Sequence, residues 1–451
     1  MRCIKMVSIR EYLTRQGYNT VADETTSHIT EWEDWYAGYV KEFHHYNVYN
    51  GIQYVGKNKY SMGMAKTVAE DWANLLLNEK VKIYTGTEFD KQLDKVFAYN
   101  NFRVKGNQLI ELSFAFGTGA FVEYLDSAGE VVIDFIRASM IYPLSWDNGY
   151  INECAFGSVR ERGGKQQYYI QIHKLNERGL YVIENHIVDA DSGKELDLDN
   201  NMLPLVETKS IIPLFQIVTP NVVNNISIDS PLGISIYANA IPQLKGCDTV
   251  YDSSINEFIL GKKRITVPLS MAKIHMSETG VVQPIFDPND TAFYALPEDR
   301  DGNNSLKEID FKIRAQEHEL GINKALDLLS FKCGLGTGRY KFENGTAKTA
   351  TEVISEKSDL FQSLKKHEIM LESAIKGLVN AISYLLGGKP TDVTIDFDDS
   401  IIEDKTSERK QDMQDVSIGA MQLWEYRMKY YGEDEKRAKE MVASSNAEVI
   451  E

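Results

Sequence analysis

One apolar stripe, between residues 349 and 386, constrains this chain more than any other feature. Apolar side chains recur at Ala350, Val353, Ile354, Leu360, Phe361, Leu364, Leu371, Ala374, Ile375, Leu378, Ile382 and Leu385, at the three-and-four spacing of one helical face. Thr349 with Glu352 makes a capping box at its start, and nothing stops it before Gly387-Gly388-Lys389-Pro390. At 1.5 Å per residue such a helix is about 57 Å long, more than an ordinary domain core covers. Immediately upstream lies a glycine-rich loop, CGLGTGRYKFENGTAK at 333–348.

The stripe has helical neighbours. Residues 230–260 read as helical, with Pro242 marking a break or a first turn, an apolar face of Leu244, Cys247, Tyr251, Ile255 and Phe258, and a second face loaded with Asp248, Asp252 and Glu257. Another helix is expected near 310–332 on Ile313, Leu320, Leu326 and Leu329, and between the two, residues 262–306 break into short strands and turns. In the first half, Thr30 and Glu33 are expected to cap a helix whose aromatic face is Trp32, Trp35, Tyr36, Tyr39 and Phe43. Further helices are expected from Ser61, near 90–101 and near 104–116.

From Gly119 the apolar period drops to two. GAFVEYL, a turn at 126–129 and EVVIDFI predict a hairpin, which strands near 154–160, 167–173 and 180–188 extend into an antiparallel meander. VTIDFD reads as a late strand and 405–451 as a charged helical tail. Alternating strand–helix units are missing, which disfavours a doubly wound nucleotide-binding sheet; the expected class is α+β, mainly helical.

At 451 residues and 43 % hydrophobic, the chain can bury several cores. Its 49 Lys plus Arg against 66 Asp plus Glu give a net charge of −17, which excludes a basic clamp that reads DNA sequence. Cys3, Cys154, Cys247 and Cys333 are scattered and form no C-x-x-C pair, so neither a zinc module nor a disulfide framework is expected. No apolar run approaches the roughly 18 residues of a membrane span. The start, MRCIKMVSIREYL, lacks the apolar core of a signal peptide, so synthesis and retention in a cytoplasm are expected.

Signals for chemistry are weak. GIQYVGKN at 51–58 nearly matches a phosphate loop around Lys57, but Asn58 stands where the Mg²⁺-binding hydroxyl belongs, and an aromatic helix precedes it where a buried strand is required. Gly334, Gly336 and Gly338 lack dinucleotide spacing and read better as loop flexibility. His44 and His45 are adjacent, yet no H-E-x-x-H pair and no Gly-x-Ser-x-Gly elbow occurs. Asp396, Asp398 and Asp399 are candidate cation ligands, although such a run more often ends a strand. No catalytic residue, cofactor or metal is expected. Two basic patches stand against the acidic background: Lys262, Lys263 and Arg264, and, in the glycine-rich loop, Arg339, Lys341 and Lys348 with only Glu343 opposing. A charge run is usually a solvated face, but a mobile basic loop between rod-like helices suits contact with a phosphate backbone without reading bases.

The order of elements resembles a portal protein, the head-to-tail connector of tailed bacteriophages, in the branch found in phages and prophages of Gram-positive bacteria. The stretches that carry the resemblance are SMGMAKTVAEDWANLLLNEKVKI at 61–83, the passage SPLGISIYANAI to FILGKKRITVP at 230–268, GTAKTATEVISEKSDLF at 345–361 and DMQDVSIGAMQLWEYRMKYYGEDEKRAKEMV at 412–442. Their order and spacing, rather than any one motif, give it weight. The resemblance implies a ring, dodecameric in assembled particles, around a channel for double-stranded DNA. Residues 1–229 would form an α+β wing, 230–261 the first stem helix region, 262–306 a clip and 307–333 the second stem helix. Residues 334–348 would be the tunnel loop, 349–399 a long helix, kinked at Gly377, with a strand returning to the wing, and 400–451 a crown, shorter here than the resemblance leads one to expect.

The implied function is non-enzymatic. The ring would nucleate the capsid with its scaffold, dock the terminase large subunit for packaging and later a head-tail adaptor, and reside in the virion after assembly in the host cytoplasm. Arg339, Lys341 and Lys348 would face DNA, and Lys262, Lys263 and Arg264 would sit at the docking end. Acidic walls with a few basic loop residues suit a channel in which DNA must slide, because a basic sleeve would grip the phosphates. Two other readings remain open from the residues: another capsid-associated oligomer such as a minor head protein, and an enzyme with a cryptic nucleotide or metal site.

Overall fold

A computed structural model describes residues 7–21, 23–49, 51–199, 202–268, 275–276, 282–283, 293–296, 307–340, 350–397 and 405–448. The body is layered. A three-stranded antiparallel sheet, Phe215–Val218, Gly119–Leu125 and Val131–Arg137 in that order, lies at its centre with both faces covered. On one face pack the helices Asp23–Tyr36, Met64–Leu76, Phe102–Phe116 and Ala350–Leu385, in a core that includes Trp72, Leu109, Ile110, Phe121, Leu378 and Ile382. On the other, Ala120, Val122 and Phe215 meet Cys154 and Phe156 of a six-stranded sheet. The long strands of that sheet, Tyr150–Arg162, Lys165–Leu175 and Tyr181–Asp189, form an antiparallel meander, but the 119–137 hairpin that they were expected to extend belongs to the other sheet, packed against them face to face. The helix Ile9–Arg15 closes its outer face through Ile9, Tyr12 and Leu13 against Ile170, Ile172 and Val188. Burial on both faces explains why Gly119–Leu125 reads as a nearly continuous apolar run.

The long helix runs from Ala350 to Leu385, 36 residues, or about 54 Å; its expected cap, Thr349, lies outside the described residues. Gly377 has a role other than the expected kink. A Cβ there would stand 2.0 Å from Gln216 Oε1, so the missing side chain lets the central sheet lie against the helix. The expected return strand is present: Thr394–Asp396 pairs antiparallel with Lys82–Tyr84.

Several boundaries differ from the sequence reading, each for a physical reason. The aromatic helix begins at Asp23, Thr30 lies inside it with its hydroxyl donating to Thr26 O at 3.2 Å, and it ends at Tyr36 before Gly38, whose φ is 78°. Residues 230–237 are not helical, because Gly233 crosses Gly117 so closely that a Cβ on Gly233 would stand 2.3 Å from Gly117 O. The two helices expected to form the stem are Ile241–Leu260 and Ala315–Lys332. In the 262–306 module, Arg264–Pro268 pairs parallel with Phe293–Leu296, and His275–Met276 pairs with Val282–Gln283; Lys307–Ile309, expected to begin the second stem helix, instead adds an antiparallel strand to Arg264–Pro268. Residues 45–58 form a hairpin that the sequence reading missed, in which Lys57 lies opposite Tyr46. That hairpin rules out the phosphate loop, since no strand-to-helix turn exists there to cradle a phosphate.

Candidate functional site

The helices Ile241–Leu260 and Ala315–Lys332, the expected stem, form an antiparallel pair: Gly321 faces Val250 in mid-helix, and Arg314 and His318 at the start of the second helix meet Glu257 near the end of the first. Arg314 grips Glu257 with two hydrogen bonds of 3.0 and 2.7 Å, and this pairing holds the Glu257 carboxyl down at about 2. One helical turn to two turns below, the remaining acidic residues of that face are buried rather than solvated. Asp248, 3 % exposed, accepts from Met62 N at 2.7 Å, Ser61 Oγ at 3.1 Å and His44 Nε2 at 3.0 Å. His44 Nδ1 in turn accepts from Val40 N at 2.7 Å, which leaves Nε2 to donate to Asp248. Asp252 accepts from Tyr60 N at 3.1 Å. The acidic face is therefore a docking face that satisfies backbone donors of the 60–62 segment.

Below the stem, the start of the glycine-rich loop is fixed. Gly334, Gly336 and Gly338 adopt φ of 79°, 74° and 82°, the left-handed region that other residues avoid. They shape a turn: Ser330 Oγ donates to Gly336 O at 2.6 Å, and Gly338 N to Asp327 Oδ1 at 3.0 Å. Trp72, wholly buried, donates its indole N–H to Cys333 O at 3.1 Å. Arg339 forks onto Asp71 at 2.8 and 2.5 Å, and Tyr340 donates its hydroxyl to the same carboxylate at 3.1 Å. Of the three residues expected to face DNA, Arg339 is paired with Asp71 of its own chain, and Lys341 and Lys348 lie outside the described residues.

At the other end of the stem, Lys262 is exposed, Lys263 forms an ion pair with Glu308, and Arg264 Nη2 donates to Leu260 O at 3.4 Å. Asp396 accepts from Tyr84 at 3.2 Å, Asp398 and Asp399 lie outside the described residues, and no group of three His, Cys, Asp or Glu among the described residues is placed to hold a metal. Among the described residues no helix is long and apolar enough to cross a membrane.

A family model described as "Phage portal protein, SPP1 Gp6-like" matches residues 18–444. The chain belongs to that family of phage portal proteins. Its function is that of a phage portal, a structural rather than an enzymatic family, and its place is in the virion. No curated protein matches it. Among solved structures it is similar to a chain in the neck of a native GTA particle computed with C12 symmetry, at 13 % identity over 81 % of this chain and 88 % of that one, with a TM-score of 0.36; a likeness that slight carries no argument. Sequence reasoning toward the portal site missed Asp71, Tyr340, His44 and Ser61. A signal that could have drawn attention to His44 and Ser61 is the acid-free run between Glu42 and Glu70.

Proposed function

We propose that this portal chain closes into a ring, a dodecamer in assembled particles, at one vertex of the capsid, and that double-stranded DNA is packaged and ejected through its channel. Residues 1–229 serve as the wing, the antiparallel pair 230–261 and 307–333 as the stem, 262–306 as the clip, 334–348 as the tunnel loop, 349–399 as the long helix and return strand, and 400–451 as the crown. The clip, flanked by Lys262, Lys263 and Arg264, receives the terminase large subunit and later the head-tail adaptor, while scaffold and capsid proteins surround the wing. Lys341 and Lys348 contact phosphates weakly and without base readout.

One observation supports the reading. The match to the phage portal family runs from residue 18 to residue 444, nearly the whole chain. The chain acts without a catalytic step of its own, in keeping with Lys57 lying in a hairpin strand. Negative-stain imaging and native mass measurement of the purified chain test it. Closed rings with an open channel are expected, and a population of monomers alone, or ATP hydrolysis abolished by Lys57→Ala, would overturn it.

A further inference from the structure

The ribbon His45–Tyr49 with Tyr54–Asn58 is the part of the chain that no layer of the fold uses. Its strands pair with each other, and among the described residues no third strand joins them. No residue of either strand is buried. Its tip puts large side chains in water: Ile52 is 87 % exposed, Tyr54 75 % and Tyr49 57 %. A two-stranded ribbon is marginal on its own in water, and one that displays tyrosines and aliphatics with little charge has the composition of the centre of a protein interface.

The base of the ribbon is as fixed as its tip is open. His44, wholly buried, is clamped between Asp248 and Val40 N; Lys59 N donates to His44 O at 2.8 Å, and Tyr60 N donates to Asp252. Both ends of the ribbon are therefore bolted to the first stem helix, which holds it out from the body as an arm.

We propose that the 45–58 ribbon docks onto the neighbouring copy of this chain. The inference rests on the ring reading above. A ring closes through a head-to-tail contact, in which a projecting element on one face of the chain meets a different surface of the next copy. Charge selects the occupant: between Glu42 and Glu70 the sequence has no acidic residue, and the ribbon carries the exposed Lys57, whereas the chain as a whole is −17, so another copy offers the complementary sign. Duplex DNA fits less well, because the ribbon lacks arginine and the Lys59 ammonium lies 3.9 Å from the centre of the Phe43 ring rather than facing outward.

The test uses the full chain, prepared in ¹⁴N and ¹⁵N forms that are mixed before assembly, with a benzophenone amino acid in place of Tyr54 or Tyr49. Native mass spectrometry reads assembly, and peptide mapping after irradiation reads whether each crosslink joins two isotopic forms. Crosslinks between differently labelled copies are expected. Rings that form with crosslinks confined to one copy overturn the arm and leave the ring standing. Monomers at every concentration overturn both, and preferential crosslinking to added duplex DNA overturns the arm in favour of a nucleic-acid contact. The triple change Tyr49→Ser, Ile52→Ser, Tyr54→Ser removes exposed side chains only. It is expected to raise the concentration needed for assembly by about tenfold or more with an unchanged circular dichroism spectrum; assembly at the wild-type concentration would count against the proposal.

Discussion

Asp71 holds two residues of the loop base at once, and that changes what a substitution at Arg339 reports. With side chains 31 % and 17 % exposed, Arg339 and Asp71 form a half-sheltered, two-point pair, which is stronger than an ordinary surface ion pair. Arg339→Ala and Asp71→Ala should each lower the melting temperature, and the double variant should lose little more than the larger single. The expected coupling is about 1 kcal/mol; additive losses would show that the pair does not form in solution. Two buried histidines set a second residue-scale expectation. His173 lies among Phe156 and Phe215, and His367 packs on Trp72 and Phe114; burial lowers both to about 3 from 6.5. Between those values the unfolded chain binds the protons that the folded chain refuses, so the stability these histidines confer is complete above pH 6.5 and lost as pH falls toward 3. His173→Phe should flatten the fall in melting temperature between pH 6.5 and 4; an unchanged slope would place the acid sensitivity elsewhere.

Elements that repeat apolar residues at one period were legible in the sequence: the long helix, the hairpin at 119–137 and the strands 150–189 all fell where their periods placed them. Elements set by a partner were not. The non-helical run at 230–237 depends on a backbone crossing with Gly117, and the acidic stem face depends on donors that lie 186 positions away in sequence for Met62 and Asp248. Gly377 is a case of the same kind. Alanine there has the better helix propensity by about 1 kcal/mol, but its methyl would collide with the Gln216 side chain, which donates to Pro213 O at 3.3 Å. Gly377→Ala alone should therefore be neutral or destabilising, and Gly377→Ala with Gln216→Ala should be more stable than Gly377→Ala by about 1 kcal/mol in denaturant unfolding. Equal stability of the two would remove steric contact as the reason for glycine. At the clip, deleting 270–300 should leave the wing's melting transition in place and abolish capture of the terminase large subunit in a pull-down. Retained capture would move docking to another element.

For the whole molecule, the net charge of −17 pointed away from a DNA-reading clamp, but it did not reveal that Asp248, Asp252, Glu257 and Asp71 are consumed by internal contacts. Of the DNA-facing candidates Arg339, Lys341 and Lys348, Arg339 also pairs with Asp71, so Lys341→Ala with Lys348→Ala is the informative pair. Assembly should be unchanged, and packaging or retention of DNA should weaken without regard to its sequence; full packaging across a range of salt would return these lysines to the solvated surface. One short segment has a wider consequence. Residues 60–76 hook the helix Ile241–Leu260 through Tyr60, Ser61 and Met62, and further along brace the loop base through Asp71 and Trp72. The helix and the loop base therefore share one support, and a change in the tilt of the first is expected to alter the position of the second within a single subunit.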